Sequence, residues 1–173
     1  DIAVDPVEGT SLVADDQPGG ISIIGAAREG CMWDPIVSYY MDKLVVGRQC
    51  AGQVDLDAPM DETVKVIARC HGIRPEQVRV VILDRPRNRA HIDGIRRAGA
   101  EPVLIDQGDV GPAIRACMPD TGIHAVAGIG GTPEGVATRV QYLPSEERPW
   151  GGWLPNAPVK PGGSPRNTAP RGN

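Results

Sequence analysis

Apolar positions in the first 140 residues follow two distinct periods. Ile2-Ala3-Val4, "ISIIGA" (21–26), "LVV" (44–46), "VRVVIL" (78–83), "PVLI" (102–105) and "IHAVAGI" (123–129) are short, largely uninterrupted apolar runs. Their length and β-branched content predict buried strands. The stretches between the later runs carry the helical period instead. "DETVKVIARCHG" (61–72) opens on acids, sets Val64, Ile67 and Ala68 on one face and stops at Gly72, which predicts a helix. "NRAHIDGIRRAGA" (88–100) repeats the pattern with Ile92 and Ile95. "DVGPAIRACM" (109–118) places Pro112 in a first helical turn, where the missing N–H does no harm. Strands alternating with short helices predict an α/β architecture with a layered sheet.

The pattern changes after about residue 140. "TPEGVATRVQYL" (132–143) begins as a helix, but its apolar face ends at Leu143. The 30 residues that follow hold seven of the 17 prolines and two of the three tryptophans, with no apolar period. Residues 1–140 are therefore expected to form a partial globular domain and 141–173 a Pro/Gly-rich disordered tail. The abrupt change resembles an altered reading frame more than an evolved linker. The chain starts without Met inside a predicted strand, so further chain is expected upstream.

Composition narrows the partners. Phe is absent and aromatics make up 3% of the chain, so the core must be built from Val, Ile, Leu, Ala and Met. Net charge is −4 with scattered basic residues, which argues against nucleic acid and anionic membranes. No apolar run is long enough to span a bilayer. Cys31, Cys50, Cys70 and Cys117 lie far apart without metal-ligand spacing. They are expected to be reduced core thiols in a cytoplasmic protein. His71, His91 and His124 are given no catalytic role.

Four polar clusters stand where predicted strands end, which is where open α/β sheets bind ligands. Asp5, Glu8, Gly9 and Thr10 follow the first strand in "DPVEGT". Two carboxylates three apart suit a hard divalent cation, a glycine admits a phosphate, and a hydroxyl can orient water. A solvated acidic turn is the plain alternative. "LDRPRN" (83–88) offers Arg85 and Arg87 around a stiffening Pro86, a pair that suits a second phosphate or a charged surface loop. "DQGDV" (106–110) contains Asp109, either a helix cap or an acceptor for sugar hydroxyls. "GIGGTPEG" (128–135) puts backbone amides and Glu134 at a helix mouth, without the Lys-Ser/Thr ending of a P-loop. Tyr39 and Tyr40 suit packing or phosphate donation.

"DIAVDPVEGT", "YYMDKLVVG", "LDRPR", "GDV" and "GIGGTPEGV" occur together in the order, and at about the spacing, of the class II (GlpX-like) fructose-1,6-bisphosphatase family, which residues 1 to about 137 resemble. The resemblance implies an incomplete layered α-β-α-β-α sugar-phosphatase fold of the inositol monophosphatase/fructose bisphosphatase type. It implies Mn²⁺- or Mg²⁺-dependent hydrolysis of the 1-phosphate of fructose 1,6-bisphosphate, with sedoheptulose 1,7-bisphosphate as a further candidate substrate. It also implies a homo-oligomer when full length.

By the same resemblance, Asp5, Glu8 and Glu134 would be metal ligands, with Asp5 and Thr10 catalytic. Glu8, Gly9 and Thr10 would contact the scissile phosphate. Tyr40, Arg85, Pro86 and Arg87 would hold the distal phosphate and sugar, and Gln107, Gly108, Asp109 and Gly131 would complete the contacts. The chain departs from the family pattern at Arg85 (often Lys), Asn88 (often His) and Gln107 (often Asp). Relatives extend upstream with further metal-binding carboxylates, so an inactive phosphosugar-binding fragment is the second reading. A relative acting on an inositol monophosphate is the third, and Arg85 and Arg87 count against it.

Overall fold

A computed structural model describes residues 1–32 and 39–141. The expected tail lies outside the described residues. The main sheet has four strands in the order β3 (Tyr40–Val46), β6 (Ala125–Gly131), β4 (Arg79–Leu83) and β5 (Glu101–Ile105). Strands β4, β5 and β6 run parallel, and β3 closes the edge antiparallel to β6.

Helices α2 (Met60–His71) and α3 (Arg89–Arg97) cover one face of this sheet; α4 (Val110–Cys117) covers the other, packed against α5 (Thr132–Gln141). Strands β4 and β6 are apolar on both sides because both faces are covered. Val80 and Ile82 of β4 face the α2/α3 layer, while Val81 packs with Ala113 and Ala116 of α4. The larger core cluster joins Val64 and Ile67 of α2 to Ile92 and Ile95 of α3, all almost fully enclosed. Burying each such side chain contributes roughly 1.5–3 kcal/mol. A Phe-free sequence therefore makes its core from β-branched residues, as its composition requires.

A separate two-stranded ribbon pairs β1 (Ile2–Glu8) antiparallel with β2 (Ile21–Ala26), with the short α1 (Thr10–Ala14) between them. Strand β1 continues through Pro6 because the register is irregular between Asp5 and Glu8, and a bulge leaves no ladder bond for proline to break. The ribbon docks through Ile23, enclosed against Val110 of α4. Among the described residues no helix is long and apolar enough to cross a membrane.

The four cysteines are free thiols, with Cys50 buried and Cys31 exposed. The expectation of core thiols thus fails for Cys31. The three histidines, given no catalytic role from the sequence, each have a partner in the fold. His124 Nδ1 accepts from the Arg79 N–H at 2.9 Å, His71 meets Gln49 and the His124 ring, and His91 lies 3.6 Å from Asp42.

Candidate functional site

The carboxyl ends of β4, β5 and β6 meet at one edge of the sheet, and β3 begins there because it runs the opposite way. Each end delivers one predicted cluster: Arg85–Arg87 after β4, Gln107–Asp109 after β5, and Glu134 in the first turn of α5 after β6. Tyr40 enters from the start of β3. The ribbon brings Asp5, Glu8, Gly9 and Thr10 to the same edge. The Ser11 N–H reaches Gln107 Oε1 at 3.4 Å, and the Leu12 side chain lies within contact reach of Gly9, Gly19 and Gly108.

The acids predicted at a distance in sequence come together here. Glu8 is buried. Its carboxyl is pushed up to about 7, first by burial, then by the negative charges of Asp109 and Glu134, and by a hydrogen bond and charge from Asp5. Like charges gathered in a water-poor place raise a carboxyl in this way. Asp5 Oδ1 also accepts the Val7 N–H at 3.1 Å, which fixes the carboxylate within the irregular end of β1. Thr10 is exposed at the start of α1, directly after Gly9 in the left-handed conformation.

Asp109 stands at the N-terminus of α4, but its side chain makes no capping bond. The cap alternative is therefore set aside. Its Oδ2 pairs with Lys43 Nζ at 2.7 Å, with 8% and 11% of the lysine and aspartate side chains exposed. Lys43 escaped the sequence reading although a signal was present. Met41, Lys43 and Val45 alternate along β3 on one face, so a cation sits between two buried apolar positions.

The two arginines separate. Arg85 donates to the backbone carbonyls of Asp84 and Asp106, bracing its own turn to the loop after β5. Arg87 Nε donates to the Ile129 carbonyl at 3.0 Å, and its guanidinium lies 4.5 Å from the Tyr40 ring centroid. That position is within cation–π range. Pro86 starts the single helical turn 86–88. Asn88, absent from the candidate residues, is fully enclosed and ties this turn to β6. Gly131 ends β6 one residue before α5; a side chain there would run into the Glu134 carboxylate. The adjacent Thr132 Oγ1 is buried without a hydrogen-bond partner among the described residues.

The donor set fits a hard divalent cation in kind, being oxygen-only and strained by its own negative charge. Asp5, Glu8 and Glu134 are the acids that could face it. Among the described residues no three His, Cys, Asp or Glu side chains are already grouped as a metal centre.

Comparison with known proteins places these motifs in a family. The family model described as bacterial fructose-1,6-bisphosphatase, glpX-encoded, matches residues 1–142. A protein of Synechocystis sp. is 42% identical over 136 residues, 79% of this chain and 39% of that protein. One of Microcystis aeruginosa has the same identity and coverage, and one of Crocosphaera subtropica is 41% identical over the same shares. All three are named D-fructose 1,6-bisphosphatase class 2/sedoheptulose 1,7-bisphosphatase. The chain thus spans 39% of the length of these curated relatives. On the strength of the matched span and of these identities, the chain belongs to the glpX-encoded bacterial fructose-1,6-bisphosphatase family.

Proposed function

We propose that these residues form part of a metal-dependent sugar-bisphosphatase site that hydrolyses the 1-phosphate of fructose 1,6-bisphosphate to fructose 6-phosphate and phosphate. The names of the relatives support sedoheptulose 1,7-bisphosphate as a further substrate. The observation that carries the reading is the meeting of Asp5, Asp109 and Glu134 around buried Glu8 at the edge where the sheet delivers its loops. In the whole protein this unit would be part of a layered α-β-α-β-α sugar-phosphatase fold assembled as a homo-oligomer.

Asp5, Glu8 and Glu134 would hold Mn²⁺ or Mg²⁺, which supplies neutralisation of the phosphoryl oxygens. Glu8, Gly9 and Thr10 would contact the scissile phosphate. The exposed Thr10 hydroxyl would hold the proton of the attacking water, with Asp5 assisting. Tyr40, Pro86 and Arg87 would border the distal phosphate. Arg85 would contribute from the same turn by exchanging its carbonyl contacts for phosphate oxygens. Gln107, Gly108, Asp109 and Gly131 would meet the sugar.

Phosphate release from fructose 1,6-bisphosphate with millimolar Mn²⁺ tests the reading. Turnover should depend on the metal and drop by at least about 100-fold in Asp5→Ala and Thr10→Ala, the usual scale for loss of a reacting group. Release that ignores both metal and substitutions would refute it. The chain's 39% coverage of its relatives favours a second reading, a phosphosugar-binding fragment without turnover. Ligand-induced stabilisation without phosphate release would identify that case.

A further inference from the structure

Among the described residues, the acidic edge holds an enclosed cation, Lys43. Lys43 comes from β3 and Asp109 from the loop after β5, so the two are joined only by the fold. Their 2.7 Å contact is almost closed to water, with 8% and 11% of the side chains exposed. Holding a lysine stem and a carboxylate in that space requires room on β6, the strand beside β3. Gly130 supplies it: a Cβ there would stand 2.8 Å from Lys43 Cε and Nζ and 2.9 Å from Asp109 Oδ2. Asp109 makes no helix cap, and Lys43 is the one side-chain hydrogen-bond partner it has among the described residues.

A buried ion pair is poorly explained by stability alone, since desolvation of both charges opposes their attraction. Its better-attested use is to fix geometry. We infer that Lys43 is a positioning residue of this site: it holds Asp109 Oδ2 so that the second carboxylate oxygen is aimed at hydroxyl groups of a phosphorylated sugar. Gly130 is the space that lets it do so. The inference rests on the sugar-bisphosphate ligand proposed above and holds whether or not the chain turns that ligand over. The ion pair acts on the carbohydrate part, so it should govern discrimination between a sugar bisphosphate and a bisphosphate without hydroxyls.

The test is isothermal titration calorimetry on the 173-residue chain, with fructose 1,6-bisphosphate and hexane-1,6-diol bisphosphate as probes. The wild-type chain should prefer the sugar by about tenfold or more, the scale of one charge-assisted hydrogen bond. Gly130→Ala keeps every charge and crowds the Lys43–Asp109 contact from β6, at the lysine terminus and at Asp109 Oδ2. It should reduce the preference to under about threefold while hardly changing affinity for the diol bisphosphate.

Lys43→Met should do the same, and Lys43→Met/Asp109→Asn should discriminate no worse than Asp109→Asn alone. The double variant also leaves no buried carboxylate without its cation, so it reports even if the single variant fails to fold. Sugar preference surviving in Gly130→Ala, or a double variant that discriminates worse than Asp109→Asn alone, would overturn the inference. So would equal weakening of both probes in Gly130→Ala, which would indicate loss of the phosphate site. A wild-type chain that binds neither probe would instead refute the ligand reading, before any variant is considered.

Discussion

Replacing Asn88 with Ala should destabilise the fold by about 2–4 kcal/mol, and the number can be built from individual bonds. The Asn88 side chain is completely enclosed. Its Oδ1 accepts the Ile129 N–H at 2.7 Å, and its Nδ2 donates to the carbonyls of Leu83 at 3.0 Å and Ile129 at 3.3 Å. Strand β4 ends at Leu83, so beyond that point the carboxamide stands beside β6 as a substitute peptide group.

Removing the side chain affects the three backbone groups unequally. The Leu83 carbonyl keeps the Arg85 N–H at 2.9 Å, and the Ile129 carbonyl keeps Arg87 Nε at 3.0 Å. The Ile129 N–H loses its acceptor, at a cost of about 1–3 kcal/mol, and the rest comes from the small cavity and two lost bonds. Urea unfolding followed by far-ultraviolet circular dichroism should show the midpoint falling by roughly 1–2 M with an unchanged slope. Asn88→Asp separates the contributions. It keeps the acceptor for Ile129 but points an oxygen at two carbonyls, so protonation restores the donor. The carboxyl of that variant is raised in the folded state, and its deficit should therefore grow as pH rises from 4 to 8. An Asn88→Ala loss below about 0.5 kcal/mol, or an Asp variant as stable as wild type at pH 8, would refute the reasoning.

Three further outcomes follow from the same geometry. Glu8 is raised from 4.5 to about 7 when folded, so the metal-free chain should lose stability as pH climbs through that window and level off above it. The ceiling is about 3 kcal/mol and solvent screening brings it to roughly 1–2, so Glu8→Gln should recover that amount at pH 8 in a melting experiment without metal. Gly128→Ala should destabilise by at least about 2 kcal/mol in urea, since φ is +106° and a Cβ would meet Asn88 Oδ1 at 2.9 Å. Tyr40→Leu removes the ring beneath Arg87 and should weaken sugar-bisphosphate binding in calorimetry by about threefold to tenfold, with stability within about 0.5 kcal/mol of wild type.

Where the physics is local, the sequence was readable. The α2 and α3 periods and the β4 and β5 runs needed only their own side chains to declare themselves. Strand β3 was read as 44–46 and is Tyr40–Val46, because Asp42 and Lys43 interrupt the apolar run. Their partners, His91 and Asp109, come from other elements. Strand β6 was read as 123–129 and is Ala125–Gly131. Its end is built from Gly128, Gly130 and Gly131, residues with no strand propensity, which fit because Asn88, Lys43 and Glu134 crowd against them. The predicted helix at 88–100 is Arg89–Arg97, since residues 86–88 form their own turn to place Arg87 and Asn88. Candidate acids could be named from motif positions, but their convergence on Glu8 is a property of the assembled sheet edge.

The site depends on a join between two sheets. The elements that follow the strands of the four-stranded sheet carry Arg87, Asp109 and Glu134, whereas Asp5 and Glu8 belong to a ribbon that shares no strand pairing with it. That join is made by α5 packed against both ribbon strands, by Ile21 and Ile23 against Val110 and Ile114 of α4, by Leu12 beside Gly108, and by the Ser11–Gln107 hydrogen bond. Opposing it at Glu8 are its burial and the negative charges of Asp109 and Glu134, which raise its carboxyl. A divalent cation held by Asp5, Glu8 and Glu134 would offset that repulsion. The acids of the site therefore come from two separately paired sheets, and the packing of the ribbon on α4 and α5 is what brings them to one edge.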